Sequence, residues 1–232
     1  MRRIHRIMRI SIYLLGLMLF AISAICEAEQ SGNETITAMQ CNYYELAKYA
    51  FDYRNITGHN GHNGWLIRDI FRAHIKPAIE AMYTRNGQGI GGSASGNLDY
   101  ALKRIPNDPR SLKAIIDYYF IIKTKPRHSH LVRAPECYLK KAMMFVPGDP
   151  VPIFLYGYYM FKKNRYKLAI KWYKRGLEKE PESSEGNYNL GLLYFNIKQY
   201  NYAKHYAEIA YKLGFPLPGL KNKLKMKGYP ID

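Results

Sequence analysis

Acidic side chains are scarce in this chain of 232 residues: 18 Asp and Glu stand against 35 Lys and Arg, a formal net charge of +17. That imbalance excludes a neutral surface. It favours anionic partners, whether acidic proteins, anionic lipid, envelope polymers or nucleic acid. Cysteine is confined to Cys26, Cys41 and Cys137, and none stands beside the histidines, so no cysteine–histidine metal motif can be read. No Gly-x-Ser-x-Gly elbow occurs, which removes that hydrolase arrangement. The glycine-rich stretch NGQGIGGSASG lacks a Gly-Lys-Ser/Thr ending and follows a helical pattern instead of a strand. It therefore reads as a chain reversal and not as a nucleotide-binding loop. Tryptophan is limited to two residues, yet tyrosine reaches 22 and hydrophobic residues 47%, enough for a buried core.

What is there begins with MRRIHRIMR, which carries Arg2, Arg3, Arg6 and Arg9, and continues as the apolar run ISIYLLGLMLFAISAIC from Ile10 to Cys26. A charged region followed by an apolar one predicts a secretory signal over 1–28, with Ala28 the last residue before cleavage. The run also approaches the length of a membrane span, so an uncleaved anchor is the alternative. Cys26 offers a third reading as a lipidated cysteine, although Ile25 is bulky for the position before one. Each reading takes the bulk of the chain out of the cytoplasm, and nucleic acid falls away as a partner. Losing residues 1–28 removes those four arginines and Glu27, so the basic excess belongs to the remainder. Cys41 and Cys137 are then the cysteines left. In an oxidising compartment they either pair or stay as two small buried thiols.

The C-terminal half repeats itself. Gly157 and Gly191 are 34 residues apart, as are Ala169 and Ala203. At the same shift Tyr156 meets Leu190, Met160 meets Tyr194 and Gly176 meets Ala210, with Pro181 and Pro216 near the unit ends. A helix–turn–helix period of this length, with this order of large apolar, glycine, aromatic, alanine and proline, resembles the tetratricopeptide repeat family. The resemblance implies an all-α, helix–turn–helix solenoid with clear units at 150–183 and 184–216. Gly157 and Gly191 are expected where helix backbones approach too closely for a Cβ, with Ala169 and Ala203 as the matching small residues on the second helix.

A degenerate unit precedes these over 109–149. NDPRSLKAIIDYYF opens on Asp108 and Pro109 as the later unit opens on Asp149 and Pro150, but Ile116 stands where glycine is expected. ECYLKKAMMFVPGDP supplies its second helix, with Ala142 and Pro147, and the basic loop KTKPRHSHLVRAP lengthens its turn. NLDYALKRIPNDP reads as a lone second helix with Ala101 and Pro106, so the repeat region spans 96–216. Residues 29–95 read as an irregular helical segment. It holds YYELAKYAFDYR, the Gly/Asn loop NITGHNGHNG, and WLIRDIFRAHIKPAIEAMYTR with a kink near Pro77. After the last unit, GFPLPGLKNKLKMKG predicts a capping helix within 217–232. Leu220 and Leu224 share one face, and Lys221, Lys223, Lys225 and Lys227 spread over the rest. FDYRN, HIKPAIEAM, the glycine loop, NLDYALKRIPNDP and FPLPGLKNKLK together resemble a group of secreted bacterial proteins with C-terminal tetratricopeptide repeats. This implies a scaffold exported to the bacterial periplasm or medium, and it brings no activity with it.

Candidates for chemistry are thin. His59 and His62 in GHNGHNG, with His74 nearby, offer imidazoles, but a loop fixes no geometry and no acidic cluster stands beside them, so a polar turn is expected and no metal. His74 and Glu80 flank Pro77 as an alternative acid–base pair without a supporting motif. The expectation is a protein without catalysis or cofactor.

The resemblance also implies a groove on the first helices. Its positions fall on Arg110, Lys113 and Asp117 in the degenerate unit, and on Phe154, Tyr158, Phe161 and Lys162 in the next. In the last unit they fall on Glu185, Tyr188, Leu192 and Phe195. The lysine–asparagine set with which some family members clamp a peptide carboxylate is not reproduced. What remains is an aromatic groove with basic residues toward its N-terminal end, suited to an apolar or aromatic peptide of some acidic character. The chain's own N-terminal segment is the other candidate occupant. The leading expectation is an exported, non-enzymatic scaffold for a protein or peptide partner. The alternatives are an adaptor held to an anionic membrane or envelope by the basic surface, and an enzyme with its site in the histidine-bearing N-terminal region.

Overall fold

Helical apolar spacing and Asp-Pro, Ala-Pro and Ser starts produce helix through almost all of the described chain. In this computed structural model the described residues are 41, 50–54, 62–84, 87–89, 92–124, 131 and 133–231. The expected signal or anchor, Cys26 and His59 lie outside them, as does most of the basic loop before Pro135. In chain order the elements are α1 (His62–Ile70), a π-helical turn (Phe71–Ile75) and α2 (Lys76–Met82), then strands β1 (Gln88–Gly89) and β2 (Gly92–Ser93). α3 (Ala94–Arg104), α4 (Pro109–Thr124), α5 (Pro135–Phe145) and α6 (Pro150–Lys162) follow. The chain closes with α7 (Tyr166–Lys179), α8 (Ser184–Asn196), α9 (Tyr200–Lys212) and α10 (Gly219–Met226). All of these belong to the unit Tyr43–Asp232. Of the other unit, Met1–Asn42, Cys41 is the described residue. Among the described residues no helix is long and apolar enough to cross a membrane.

The 34-residue period is written in the backbone as well as in the side chains. α6 and α8 start 34 residues apart, and so do α7 and α9. Asp149 caps α6 by accepting from the Val151 N–H at 3.0 Å, and Ser183 caps α8 by accepting from the Gly186 N–H at 3.2 Å. Each first helix ends on a left-handed residue, Asn164 at φ 59° or Lys198 at φ 63°. After it the N–H of Arg165 or Gln199 returns to the carbonyl of Met160 or Tyr194 at 2.9 Å. Two successive units thus make the same turn by the same bonds, and the described residues form a tetratricopeptide-type solenoid, all-α apart from the two-residue β1–β2 ladder.

The glycines mark close approach, as their alignment predicts. A Cβ on Gly157 would lie 2.7 Å from the Tyr173 ring and 3.4 Å from the Ala169 carbonyl oxygen. A Cβ on Gly191 would lie 3.2 Å from the Ala203 carbonyl oxygen and 2.8 Å from Leu220. Ala169 and Ala203 are wholly buried beneath them. In the last unit α10 takes the place of a following first helix through the buried Leu220 and Leu224. In the degenerate unit Ile116 is itself fully buried.

Upstream, two readings change. The kink expected near Pro77 is a π-helical turn that ends just before it. Proline has no N–H to offer and its ring crowds the carbonyl four residues back, and the wider π turn accommodates both. The lone second helix is not alone: α3 pairs with α2 and packs on α4, which extends the stack by one more hairpin.

Candidate functional site

Phe154 sits in a socket made by two absent side chains. A Cβ at Gly176 on α7 would run into its ring, and one at Gly186 on α8 would lie 2.9 Å from it. The ring also packs 5.8 Å from Tyr173. Phe154 is therefore held where α6, α7 and α8 meet, with its free side on a cleft.

That cleft has a volume of about 590 Å³. Val151, Phe154, Leu155 and Tyr158 of α6 form its floor, with Tyr173 of α7 behind them. Pro109, Arg110 and Lys113 of α4 form one wall. The opposite wall consists of Glu180 and Ser183 in the turn and Glu185, Gly186 and Asn189 of α8. Tyr158 is fixed by its hydroxyl, which donates to Asp117 Oδ1 at 2.7 Å, while Lys113 Nζ lies 2.6 Å from Asp117 Oδ2. Burial first, then the Asp117 hydrogen bond, pushes the Tyr158 phenol up, and the exposed Tyr83 adds to the shift from nearby. Burial likewise raises Tyr173, followed by the charge of Glu185. Two phenols raised in this way, Tyr158 and Tyr173, thus line the cleft that Glu185 also lines.

The charges on the two walls differ in kind. Arg110 pairs with Asp108 at 3.1 Å and stacks over Phe71 with its guanidinium 4.3 Å from the ring centroid. Lys113 pairs with Asp117. Of the expected groove cations, the two that line the cleft, Arg110 and Lys113, are already matched within the chain. Glu180 and Glu185 meet no cation among the described residues, so the unmatched charge in the cleft is negative.

The remaining expected groove residues lie elsewhere. Tyr188 is buried and stacked on Phe215, ring centroids 3.9 Å apart, beneath the segment that leads into the cap. Phe161 packs with Tyr166, and Phe195 with Tyr200 and under Lys223. Lys162 covers the Phe120 ring. Leu192 is half-buried against the core. In the last unit the cap occupies the place of a following repeat, so positions that would line a groove in a longer stack are covered there. Sequence reasoning missed Tyr173, Glu180 and Asn189. The readable signal was Gly176 and Gly186, two glycines on either side of Pro181.

His74 serves structure. Its Nδ1 lies 2.8 Å from Asn97 Oδ1 and its ring packs 4.3 Å from Tyr100, while Glu80 is exposed and meets neither. His62 begins α1. No group of three or more His, Cys, Asp or Glu able to hold a metal occurs among the described residues. Cys41 and Cys137 are both buried and both disulfide-bonded.

Residues 157–198 match the family model described as TPR repeat. No curated protein matches the chain. A solved structure from the functional characterization of Pseudomonas aeruginosa pilF is similar at 19% identity. The match covers 70% of this chain and 70% of that one, with a TM-score of 0.47.

Proposed function

From a chain that carries tetratricopeptide repeats, we propose an exported protein–protein interaction scaffold whose cleft between α4, α6 and α8 takes a peptide segment through an aromatic or aliphatic anchor. The observation that carries this is the Phe154 socket. A large ring locked by two glycines and backed by Tyr173 offers a preformed apolar seat, and a preformed seat spares a ligand the entropy of ordering it. The test is site-specific photo-crosslinking in the native envelope, with the reactive group placed either at Leu155 in the cleft or at Tyr202, which is exposed on α9. A discrete adduct from Leu155 and none from Tyr202 is expected. Equal adducts, or adducts from Tyr202 alone, would overturn the assignment.

Export is supported by the charged and apolar N-terminus and by oxidised cysteines, which cytosolic thiol buffers do not favour. With residues 1–28 removed, an intramolecular bridge can only join Cys41 to Cys137. Peptide mass mapping without reductant should find that linked pair in protein from the envelope fraction. A reduced pair in cytoplasmic protein would refute both statements.

A second reading rests on the cap. α10 carries no acidic residue, and Lys223, Lys225 and Lys227 are exposed beside Met226 at 77% exposure. Lysines around an exposed apolar side chain suit an anionic lipid surface. Co-sedimentation with anionic vesicles that survives 0.5 M salt would count against it, as would equal binding to neutral vesicles.

A further inference from the structure

Net charge and local charge point in opposite directions in this molecule. The chain as a whole is strongly basic, and α7, on the outer layer of the stack, exposes Lys167, Lys171, Lys174, Arg175 and Lys179. Inside the cleft the balance inverts. Arg110 and Lys113 are each paired with a carboxylate of the same chain, whereas Glu180 and Glu185 are exposed on the facing wall and meet no cation among the described residues. A ligand carboxylate entering there would have to displace Asp108 or Asp117 from its partner and would face two like charges. A ligand ammonium or guanidinium displaces nothing. At physiological ionic strength fields are screened beyond about 8 Å, so a charge seated against Glu185 responds to its immediate neighbours more than to the net charge of the chain.

We propose that the cleft selects a cationic segment: an aromatic or aliphatic anchor against Phe154 and Tyr158, flanked by lysine or arginine that meets Glu180 and Glu185. The Phe154 and Tyr158 rings that line the cleft favour the same occupant, because an aromatic face attracts a cation. The inference rests on the cleft being the binding site, and it fixes the sign of the partner where the sequence favoured an acidic one.

The experiment uses the full mature chain and three capped, dye-labelled decapeptides of one Leu/Phe pattern, whose variable positions are all lysine, all glutamate or all serine. Affinity is read by fluorescence anisotropy at 0.15 M salt. Asn189→Trp serves as a cleft-filled control, since Asn189 lines the cleft without being buried in the core. Circular dichroism checks that this variant keeps its fold. Binding that survives Asn189→Trp is adsorption to the outer lysines and is subtracted. The expected result is cleft-specific affinity in the order lysine, serine, glutamate, with lysine roughly tenfold above glutamate, the scale of two solvent-exposed charge pairs. In Glu180→Lys/Glu185→Lys the order should reverse. Equal affinity of the three peptides, abolished by Asn189→Trp, would overturn the charge assignment and leave the cleft as a site. Glutamate leading in the wild type would do the same. No cleft-specific binding of any peptide would overturn both statements, whether the cleft holds the chain's own N-terminal segment, a second copy of the chain or nothing.

Discussion

The two halves of the stack are held by different physics. From α6 onward the contacts are made by small residues, so that helices touch backbone to side chain at Gly157, Ala169, Gly191 and Ala203. Before α6 an apolar core is joined by a set of buried polar groups. Among the described residues every buried polar or charged side chain except Asn187 lies at or before Asp149. Asp99 accepts from Tyr138 at 2.6 Å and from Arg133, and pairs with Lys103 at 3.2 Å. Glu136 on α5 accepts from Tyr159 on α6 at 2.6 Å and from Lys163, just past the end of α6, at 3.2 Å. Asn107 donates to both Asp52 and Asp149. Where the repeat pattern is strict, small residues at helix crossings set the register. Where it decays and Ile116 replaces glycine, buried directional bonds are added to the packing. The lesson is that a degenerate repeat can keep its place in a solenoid by adding hydrogen-bond specificity to packing.

The largest effect should come from breaking that polar half. Asp99→Ala removes the carboxylate that accepts from the Tyr138 hydroxyl and from Arg133. It should cost about 3 kcal/mol in urea unfolding. A cost below about 0.5 kcal/mol would show that the network follows the fold without supporting it. The same half should also be acid-sensitive. Burial raises the Asp99 carboxyl, but Tyr138, Lys103 and Arg133 outweigh it and hold it below its ordinary value. Burial likewise opposes the bonds from Arg54 and Asn107 that hold Asp52 down at about 2. Groups with a depressed folded pKa stabilise above their unfolded value and lose that contribution as pH falls through the folded one. Stability should therefore drop between about pH 4 and pH 2, and Asp52→Asn should flatten the drop. An unchanged acid limb in that variant would break the link.

The packing half should respond to volume and not to pH. Gly191→Leu should destabilise by roughly 1–3 kcal/mol through overpacking. Leu220→Ala should recover part of it, because Leu220 is the nearest side chain but the Ala203 carbonyl remains in the way. Full additivity of the two changes would mean that Gly191 and the cap do not meet.

This contrast also explains what could be read in advance. The 34-residue spacing of Gly157 with Gly191 and Ala169 with Ala203 exposes the strict half, because its contacts recur at fixed sequence distance. The Asp-Pro pairs at 108 and 149 locate helix starts for the same local reason. The polar half hides itself, since Asp99, Arg133 and Tyr138 are far apart in sequence and share no period. The cleft stands between these cases. Phe154 and Tyr158 were legible from the repeat register, and Arg110 and Lys113 were legible in place but not in charge state. Their partners Asp108 and Asp117 are close enough in sequence to have been suspected. The family resemblance places Tyr188 in the groove, but its ring is buried and stacked on Phe215 in the segment that leads into the cap.

The smallest test sets the two strict repeats against each other. They share a left-handed residue at the end of the first helix, Asn164 in one and Lys198 in the other. Asparagine tolerates that backbone because its short amide bonds locally. A lysine Cβ crowds the following carbonyl, at a cost of about 1 kcal/mol. Lys198 is exposed, so replacing it removes little else. Lys198→Asn should therefore stabilise the chain by about 0.5 kcal/mol in urea unfolding, and Asn164→Lys should destabilise it by a similar amount. Lys198→Gly should gain no more than Lys198→Asn, since glycine relieves the strain but adds freedom to the unfolded chain. These shifts should persist from pH 5 to pH 8, because no titrating partner is involved. A loss of stability in Lys198→Asn would mean that the lysine side chain itself holds the turn, and that even the strict half depends on a charge.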